Sequence, residues 1–339
     1  MVKLVSIEEF LALGCPIIDV RAPVEYEKSH IPGAIHLPLF DDAERAQVGA
    51  LYKQRGRRQA TLEGLGIVGS KLRSLAEKGL SLSEKNRLAV HCFRGGMRSQ
   101  AVAWLLDLCQ VDVFVLEGGY KAFRKWVFRQ FEKDYSMIVL GGFTGSAKSE
   151  VLNQFPTLGE QIIDLEKLAN HKGSAFGALG LGSQPSQSHF ENLLAMSLSR
   201  VQDSRFWVED ESRMVGKVVI PKNIWSQIRL SNVLFIERTL KERTAHLLNG
   251  YGSLESSSLV QAASKIRKRF GPDRTDHLVS LIESGSLEDA VHLALQYYDK
   301  GYLHGLQKRP VEKVHRISAA QMNDREVAVM LKNHAQQLS

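Results

Sequence analysis

The chain has 339 residues, of which 44% are hydrophobic and 24% are charged, and its formal net charge is +7. This length is comfortable for two domains, and the composition is that of an ordinary globular protein. No apolar stretch approaches the roughly 18–20 residues that a membrane-spanning helix needs. The first residues include early acidic side chains and no long apolar run. We therefore expect neither a membrane span nor a secretory signal, and we predict a cytoplasmic protein.

The cysteine pattern excludes two further classes of protein. There are three cysteines, Cys15, Cys92 and Cys109, and no pair has the C-x-x-C spacing. An odd number without such a pair argues against a disulfide framework and against a thiolate zinc site, so we predict no metal centre of that kind. At least one thiol must be free, which suits a reducing compartment.

The first part of the chain, residues 1–133, reads as one domain of alternating strands and helices. A helical pattern over Ser99–Leu108 follows directly on two glycines. Alternation of this kind predicts a parallel sheet that is covered on both faces. The apolar runs that predict its strands are Cys15–Val20, Leu88–His91 and Val111–Leu116.

A second α/β domain is predicted over residues 134–339. Its last hundred residues are mostly helical in pattern, for example over Leu278–Tyr298, and the Gly/Ser-rich segment Gly173–Ser188 reads as a long loop. Such a loop is either functional or a plain flexible surface segment. The predicted strands are Met137–Leu140, Gln161–Leu165, Phe206–Val208 and Val233–Ile236.

A cysteine loop with the sequence HCFRGGMRS covers residues 91–99. A cysteine at the end of a strand, before a glycine turn and a helix N-terminus, lies among inward-pointing backbone N–H groups. Arg94 and Arg98 add positive charge, and all three effects favour the nucleophilic thiolate. We therefore predict Cys92, Arg94 and Arg98 as catalytic residues; a buried structural cysteine beside a turn is the alternative.

This loop and the upstream segment DVRAPVEYEKSHIPGAIHLP, Asp19 to Pro38, resemble the rhodanese family. The resemblance implies that Cys92 carries sulfur or selenium. The loop departs from the common rhodanese form, because Cys92 and Arg98 have the C-x5-R spacing instead of a shorter one. That spacing also occurs in protein phosphatases. The first domain therefore resembles either a phosphatase or a rhodanese whose larger loop accepts a phosphorylated chalcogen donor.

A second loop, GGFTGSAKS at residues 141–149, follows the strand Met137–Leu140 and approximates the P-loop pattern. Backbone N–H groups of such a loop surround a diphosphate, the lysine reaches its oxygens, and the last hydroxyl can ligate Mg²⁺. Ala147 stands where the pattern has glycine, and its methyl group fits only if the backbone angles there are helical. The predicted phosphate-binding residues are Gly142, Thr144, Gly145, Ser146, Lys148 and Ser149.

Acidic residues follow two of the predicted strands. Asp164 comes after one strand, and Glu209, Asp210 and Glu211 come after another. Each is a candidate for Mg²⁺ binding or for acid–base work, and an ordinary carboxylate at a strand end is the alternative.

Basic residues concentrate in short stretches of the chain. Such clusters suit a polyanionic partner, although any one of them alone is more typical of a solvated helix face. The candidates for contacts with a nucleic acid are Arg55, Arg57, Arg58, Lys265, Arg267, Lys268, Arg269 and Arg274.

A rhodanese domain followed by a P-loop domain resembles the tRNA 2-selenouridine synthase family. The match includes the segments LEGGYKAFR, DLEKLANHKGSAFG, QPSQSHFEN, VEDESRMVGKVVIP and YYDKGY. The resemblance implies a fold, a rhodanese-like parallel-sheet domain followed by a P-loop NTPase-like α/β domain with a helical C-terminal region. It also implies an activity: wobble 2-thiouridine of tRNA is geranylated from geranyl diphosphate, and the sulfur is then replaced by selenium from selenophosphate.

The partner implied by this resemblance is the anticodon loop of a tRNA, with no membrane and no assigned oligomeric state. Phe176, Phe190, Trp207 and Tyr251 are candidates for stacking on the wobble base, although core packing is the commoner role of such residues. Three other functions fit the same motifs: a persulfide sulfurtransferase, a nucleotide-dependent kinase or ATPase with a rhodanese module, and an RNA-binding protein that uses both loops as anion anchors.

Overall fold

The computed structural model describes residues 1–201, 204–252 and 254–338. The chain divides into two compact units, Met1–Gln130 and Phe131–Ser339. Each unit contains a five-stranded sheet whose strands are all parallel. The predicted α/β fold class is therefore confirmed. No helix in the described ranges is long and apolar enough to cross a membrane.

The first unit is a parallel sheet with helices between its strands. The strand order is β1-β5-β4-β2-β3. In chain order the elements are β1 (Val2–Val5), α1 (Ile7–Ala12), β2 (Ile17–Asp19), α2 (Pro23–Lys28), β3 (Ile35–His36), α3 (Asp42–Gly69), α4 (Leu72–Leu82), β4 (Arg87–His91), α5 (Met97–Leu108), β5 (Asp112–Leu116) and α6 (Gly119–Phe131).

The central strands of this sheet are buried because both of their faces are covered. Ile18 on β2, Val90 on β4 and Val113 on β5 are fully buried. The carboxyl ends of parallel strands lie at one edge of a sheet, where ligands commonly bind. Cys92 is the residue that follows β4, so the cysteine loop lies at this edge.

Helix α3 was not among the elements predicted from the sequence. It is 28 residues long and has a kink at Gly56, whose φ of 77° lies in the left-handed region. Glycine adopts this region without the steric cost that a Cβ brings. The kink lies inside the basic cluster that contains Arg55, Arg57 and Arg58, all of which are exposed.

The second unit has a parallel sheet of order β12-β11-β6-β8-β7 and a separate antiparallel hairpin, β9–β10. Its elements are β6 (Met137–Gly142), α7 (Lys148–Leu152), a 3₁₀ turn (Phe155–Leu158), β7 (Gln161–Ile163), α8 (Leu165–Ala169), α9 (Gln187–Val201), β8 (Phe206–Glu209), β9 (Met214–Val215), β10 (Val218–Val219), α10 (Lys222–Leu230), β11 (Val233–Glu237), α11 (Leu240–Tyr251), α12 (Ser256–Lys265), α13 (Arg267–Phe270), α14 (Pro272–Glu283), α15 (Leu287–Leu306), a 3₁₀ turn (Val311–Lys313), β12 (Val314–Ser318) and α16 (Asp324–Gln336).

Strand β6 is the middle strand of this sheet, between β11 and β8. Every residue of β6 is buried, and the chain runs from its end straight into the second loop. Asp210 and Glu211 follow β8, the neighbouring strand, so they come off the same edge of the sheet. The middle of the sheet thus brings the loop and the strand-end carboxylates together.

The C-terminal helices form their own apolar core. Leu259 of α12, Leu278 and Ile282 of α14, and Ala290 of α15 are buried in one cluster. The helical pattern predicted over Leu278–Tyr298 is two helices, because α14 ends before Gly285, which has a φ of 77°.

Candidate functional site

The cysteine loop holds the Cys92 side chain almost completely buried, with 3% of its surface exposed. The hydroxyl of Ser99, on the first turn of α5, donates a hydrogen bond to the Cys92 sulfur at 3.2 Å. The same hydroxyl lies 3.1 Å from the Gly96 carbonyl oxygen. The sulfur is therefore fixed by a residue one turn into the helix, a contact that the loop motif alone does not reveal.

Two glycines allow this loop to close against the start of α6. A Cβ on Gly119 would lie 2.4 Å from the Cys92 carbonyl oxygen and from the Gly95 nitrogen. Gly95 itself has a φ of +65°. The backbone N–H groups of Tyr120 and Lys121 donate to the carbonyls of Cys92 and Phe93 at 2.8 and 3.0 Å. Only glycine fits this close approach of two backbones, so the loop is rigidly held.

The two arginines of the loop have different surroundings. Arg98 donates to Glu25 with a distance of 2.7 Å between Nη1 and Oε2, and Arg94 is exposed. Burial raises the pKa of Glu25, but the hydrogen bond and charge of Arg98 outweigh it and hold that pKa below its usual value. The charge of Arg98 is thus shared with a carboxylate, so Arg94 is the arginine whose charge is open to an incoming anion.

The segment upstream of the loop contributes a buried ion pair that lies next to it. Arg21 donates to Asp19 at 2.9 Å from Nε and 2.6 Å from Nη2, and both side chains are buried. His91 lies 3.6 Å from Asp19, but burial lowers the pKa of His91 to about 4, so the imidazole is neutral at pH 7. The Asp-x-Arg part of the signature is therefore a structural ion pair beneath the loop.

The P-loop region connects β6 to α7 through a turn that contains Gly145, whose φ is +82°. The Lys148 ammonium donates to the Gly142 carbonyl oxygen at 3.0 Å, so its side chain folds back over the loop. The Gly142 N–H donates to the hydroxyl of Tyr302 at 3.3 Å. Tyr302 is on α15 and was not predicted from the sequence, although it is the last residue of the YYDKGY segment.

Ala147 has φ 58° and ψ 38°, which is the left-handed region and not the ordinary helical one. The left-handed conformation costs a residue with a Cβ roughly 1–2 kcal/mol. The P-loop therefore keeps the backbone shape that glycine would give, with strain at this position.

Carboxylates surround the hydroxyl of Ser149. The Ser149 oxygen lies 2.7 Å from Oε1 of Glu209 and 3.0 Å from Oε2 of Glu166. Burial, and then the neighbouring carboxylates, raise the pKa of Glu209 well above its usual value. Burial and the charge of Glu166 likewise raise the pKa of Glu211 to about 8. This cluster has more acidic groups than it can hold ionised, which favours an incoming cation.

The predicted acidic residues have different hydrogen-bond and ion-pair partners. Asp164 caps α8 by accepting from the Lys167 N–H at 2.7 Å, and burial raises its pKa. Asp210 accepts from Tyr302 at 3.1 Å and is also paired with Arg229 and Arg309. Among the predicted acidic residues, only Glu209 contacts Ser149. Glu211 was among the strand-end candidates, whereas Glu166 was missed, because nothing in its spacing shows that it converges on Ser149.

A cavity of about 1310 Å³ opens beside the P-loop. Polar groups line one part of its wall, namely the P-loop from Thr144 to Glu150 together with Glu166 and Glu211. Apolar side chains of the C-terminal helices line another part. These include Leu247, Leu259, Leu278, Ile282, Leu287, Ala290, Val291, Ala294 and Leu295.

Both units match known protein families. The tRNA 2-selenouridine synthase AAA domain matches residues 135–337, and the rhodanese-like domain matches residues 6–125. The tRNA 2-selenouridine synthase of Shewanella frigidimarina is 34% identical over 87% of this chain and 89% of its own. That of Pseudomonas syringae pv. tomato is 35% identical over 86% of this chain and 85% of its own. The chain belongs to the tRNA 2-selenouridine synthase family.

In this member of the tRNA 2-selenouridine synthase family, all eight basic candidates are exposed. Arg269 also lines the cavity, and Arg267 forms an ion pair with Asp276. Of the aromatic candidates, Phe190 and Trp207 are fully buried, whereas Phe176 and Tyr251 line the cavity. Within the described ranges, no group of three or more His, Cys, Asp or Glu side chains is arranged to hold a metal ion by itself.

Proposed function

We propose that the protein is a tRNA-modifying transferase that converts wobble 2-thiouridine into 2-selenouridine with selenophosphate. The reaction runs through S-geranyl-2-thiouridine, made from geranyl diphosphate. The cavity carries this proposal, because it joins a phosphate-binding loop to a long apolar wall. A prenyl diphosphate has the same two parts, a charged head and an apolar tail.

The head of the donor belongs at the P-loop. Lys148 is within reach of the loop's interior, since its ammonium already binds the Gly142 carbonyl. When the sulfur of 2-thiouridine attacks C1 of the geranyl group, an S–C bond forms, the C–O bond breaks and diphosphate leaves with its electron pair. Lys148 and the loop N–H groups stabilise the charge that develops on this leaving group.

A Mg²⁺ ion fits beside the same loop. Glu209 is completely buried, and its Oε2 has no hydrogen-bond partner among the described residues. Oxygen ligands of this kind, together with the Ser149 hydroxyl, are those that Mg²⁺ prefers. Ser149 and Glu209 would hold the ion, which would neutralise charge on the diphosphate.

The selenium step belongs at the cysteine loop. We place the phosphoryl group of selenophosphate against the loop N–H groups and Arg94, with selenium beside the Cys92 sulfur. The C2–Se bond forms as the C2–S bond breaks, geranyl thiolate leaves, and water takes up the phosphoryl group. Selenium stays at the selenide level throughout, so the step needs no oxidant. Geranylation helps because an alkylated sulfur is the better leaving group.

The test is a nucleoside assay. The protein is incubated with tRNA that carries 2-thiouridine, with geranyl diphosphate and selenophosphate together or singly, and the digested tRNA is examined by mass spectrometry. We expect S-geranyl-2-thiouridine with the first donor alone and 2-selenouridine with both. A matched tRNA with plain uridine should gain neither group. Absence of both products would contradict the proposed function, and rapid ATP hydrolysis in their place would favour the kinase or ATPase alternative.

A further inference from the structure

Helix α15 presents one of its faces to the cavity along nearly its whole length. The α15 residues that line the cavity recur at intervals of three and four, as residues on one face of a helix do. Starting from the first residue of the helix, they include Leu287, Ala290, Ala294, Tyr298 and Tyr302.

The C-terminal part of this face lies at the phosphate-binding loop. The Tyr302 hydroxyl accepts from the Gly142 N–H, and the Lys148 ammonium lies 5.8 Å from the centre of the Tyr302 ring. Leu287 is at the opposite end of α15, fifteen residues earlier, and a rise of 1.5 Å per residue places it roughly 22 Å away along the axis. Distance along α15 from Tyr302 is therefore distance from the diphosphate head.

Two small side chains, Ala290 and Ala294, lie in the middle of this face, next to the larger Val291 and Leu295. Ala290 and Ala294 are one turn apart, and both line the cavity. Each isoprene unit adds four carbon–carbon bonds along the chain, an extension of roughly one helical turn, or about 5.4 Å. If the diphosphate itself occupies the turn from Tyr302 to Tyr298, one isoprene unit would lie beside Ala294 and a second beside Ala290. Larger residues follow, Leu287 on α15 and the buried Ile282 on α14.

We infer that α15 sets the length of the prenyl chain: Ala294 and Ala290 leave room for two isoprene units, and Leu287 with Ile282 ends the cavity. This inference rests on the proposed function, since it assumes a prenyl diphosphate with its head at the P-loop. It names the residues that select a ten-carbon donor over five-carbon and fifteen-carbon ones.

The first variant shortens the cavity. In Ala290→Leu, three added carbons fill the space beside the second isoprene unit. We expect the ratio of dimethylallyl to geranyl transfer to rise by about tenfold or more, the scale at which apolar pockets discriminate by a few methylenes. The matched control is Gln296→Leu, which places the same side chain on an exposed position of α15.

The second variant lengthens the cavity. In Leu287→Ala the end wall recedes, and we expect farnesyl transfer to rise relative to geranyl transfer by about tenfold. All three prenyl diphosphates compete in one reaction with 2-thiouridine tRNA, and the products are separated by mass spectrometry. Thermal unfolding checks that each variant is folded. If Ala290→Leu does not fold, the donor ratios of Leu287→Ala alone test the inference.

The possible failures are distinguishable. If the unsubstituted protein transfers no prenyl group from any donor, the proposed function is wrong and the inference falls with it. If the unsubstituted protein geranylates tRNA but both variants keep its donor ratios within about twofold, the proposed function stands and the role of α15 is overturned.

Discussion

Lys148 is the residue whose position makes the sharpest functional prediction. Its ammonium lies 3.0 Å from the Gly142 carbonyl oxygen, inside the loop that we assign to diphosphate. Removing a cation that stabilises a leaving group costs on the order of 10²-fold in rate. We expect Lys148→Ala to slow geranyl transfer by about that factor in single-turnover assays. Selenium transfer onto tRNA that is already geranylated should be unchanged.

A control separates this effect from a general loss of positive charge. Lys167 also lines the cavity, but it lies on α8 and outside the P-loop. Lys167→Ala should retain most of the geranyl transfer. If Lys148→Ala geranylates tRNA at the original rate, the P-loop is not the diphosphate site.

Cys92 makes the complementary prediction. Its sulfur accepts from Ser99 within the cysteine loop, which we assign to the selenium donor. Cys92→Ala should abolish selenium transfer onto geranylated tRNA and leave geranyl transfer intact, as measured by nucleoside mass spectrometry. Cys109→Ala, which removes a thiol at the end of α5, should affect neither reaction. Equal loss of both reactions in Cys92→Ala would contradict the division of labour between the two loops.

The raised pKa of Glu211 makes the stability of the protein depend on pH. Its pKa is raised from 4.5 to about 8 by burial and by Glu166, so the folded protein holds a proton that the unfolded chain releases above pH 4.5. The stability that this proton contributes is complete below pH 4.5 and is lost as pH rises through 8. In a chelator without Mg²⁺, the contribution of Glu211 to the free energy of unfolding should fall over this window by at most about 1.4 kcal/mol per pH unit.

The variant Glu211→Gln tests the assignment, because its side chain does not titrate. Urea unfolding at a series of pH values should give a flatter profile for this variant between pH 4.5 and 8. A profile as steep as that of the original protein would mean that another group causes the pH dependence.

Single residues were predictable where the chain carries its chemistry in one short segment. Cys92 and Lys148 each lie in a loop whose motif is one continuous stretch of sequence. Glu166 and Tyr302 reach the P-loop from α8 and α15, and their sequence neighbours carry no sign of it. Asp210 shows the opposite case, because it stands at a strand end as a ligand would but is paired with Arg229 and Arg309.

At the scale of elements, the turn between β6 and α7 depends on one glycine. Gly145 has a φ of +82°, and a Cβ there would lie 2.9 Å from the backbone oxygen of Arg243 on α11. Arg243 in turn donates to the Thr144 carbonyl at 3.1 Å and to Asp299 of α15 at 2.8 Å. A methyl group at Gly145 would thus displace the turn from the helices that hold it.

We expect Gly145→Ala to lower the free energy of unfolding by about 1–3 kcal/mol and to weaken binding of inorganic diphosphate. Urea unfolding and isothermal titration measure the two effects. Gly305→Ala is the matched control, because Gly305 is in the last turn of α15 with open space around it, and alanine there should be neutral or slightly stabilising. Unchanged stability and binding in Gly145→Ala would show that the turn tolerates a side chain.

The strands were easier to predict than the helices. Runs of apolar, β-branched residues located β4, β5, β6 and β11 to within two residues, because a strand that is buried on both faces must be apolar throughout. Helix α3 escaped prediction, since exposed charged residues interrupt its apolar spacing around Gly56. The break between α14 and α15 depends on the left-handed backbone of Gly285. The spacing of apolar residues alone does not reveal this break.

The net charge of the whole molecule is +7, and part of the positive charge lies in two clusters of basic residues, as suits a polyanionic partner. The two basic clusters lie in different units, one around the kink of α3 and one from α12 to α14. Each exposed arginine that contacts a phosphate releases condensed counterions, so tRNA affinity should fall steeply with salt. The kinked helix is the sharper test, because Arg55, Arg57 and Arg58 are exposed and have no acidic residue among their immediate neighbours in sequence.

Replacing these three arginines by alanine should weaken tRNA binding and reduce the slope of log affinity against log salt by roughly 2, since a single-stranded phosphate contributes about 0.7. Fluorescence anisotropy with labelled tRNA measures both quantities. The salt concentration is varied from about 50 to about 200 mM, the range over which phosphate contacts lose most of their contribution to affinity. Arg73→Ala is the control, because Arg73 is exposed on α4 but already paired with Glu77. A triple variant that keeps the original slope would mean that α3 does not touch the tRNA backbone, and the cluster from Lys265 to Arg274 would then have to supply the contacts.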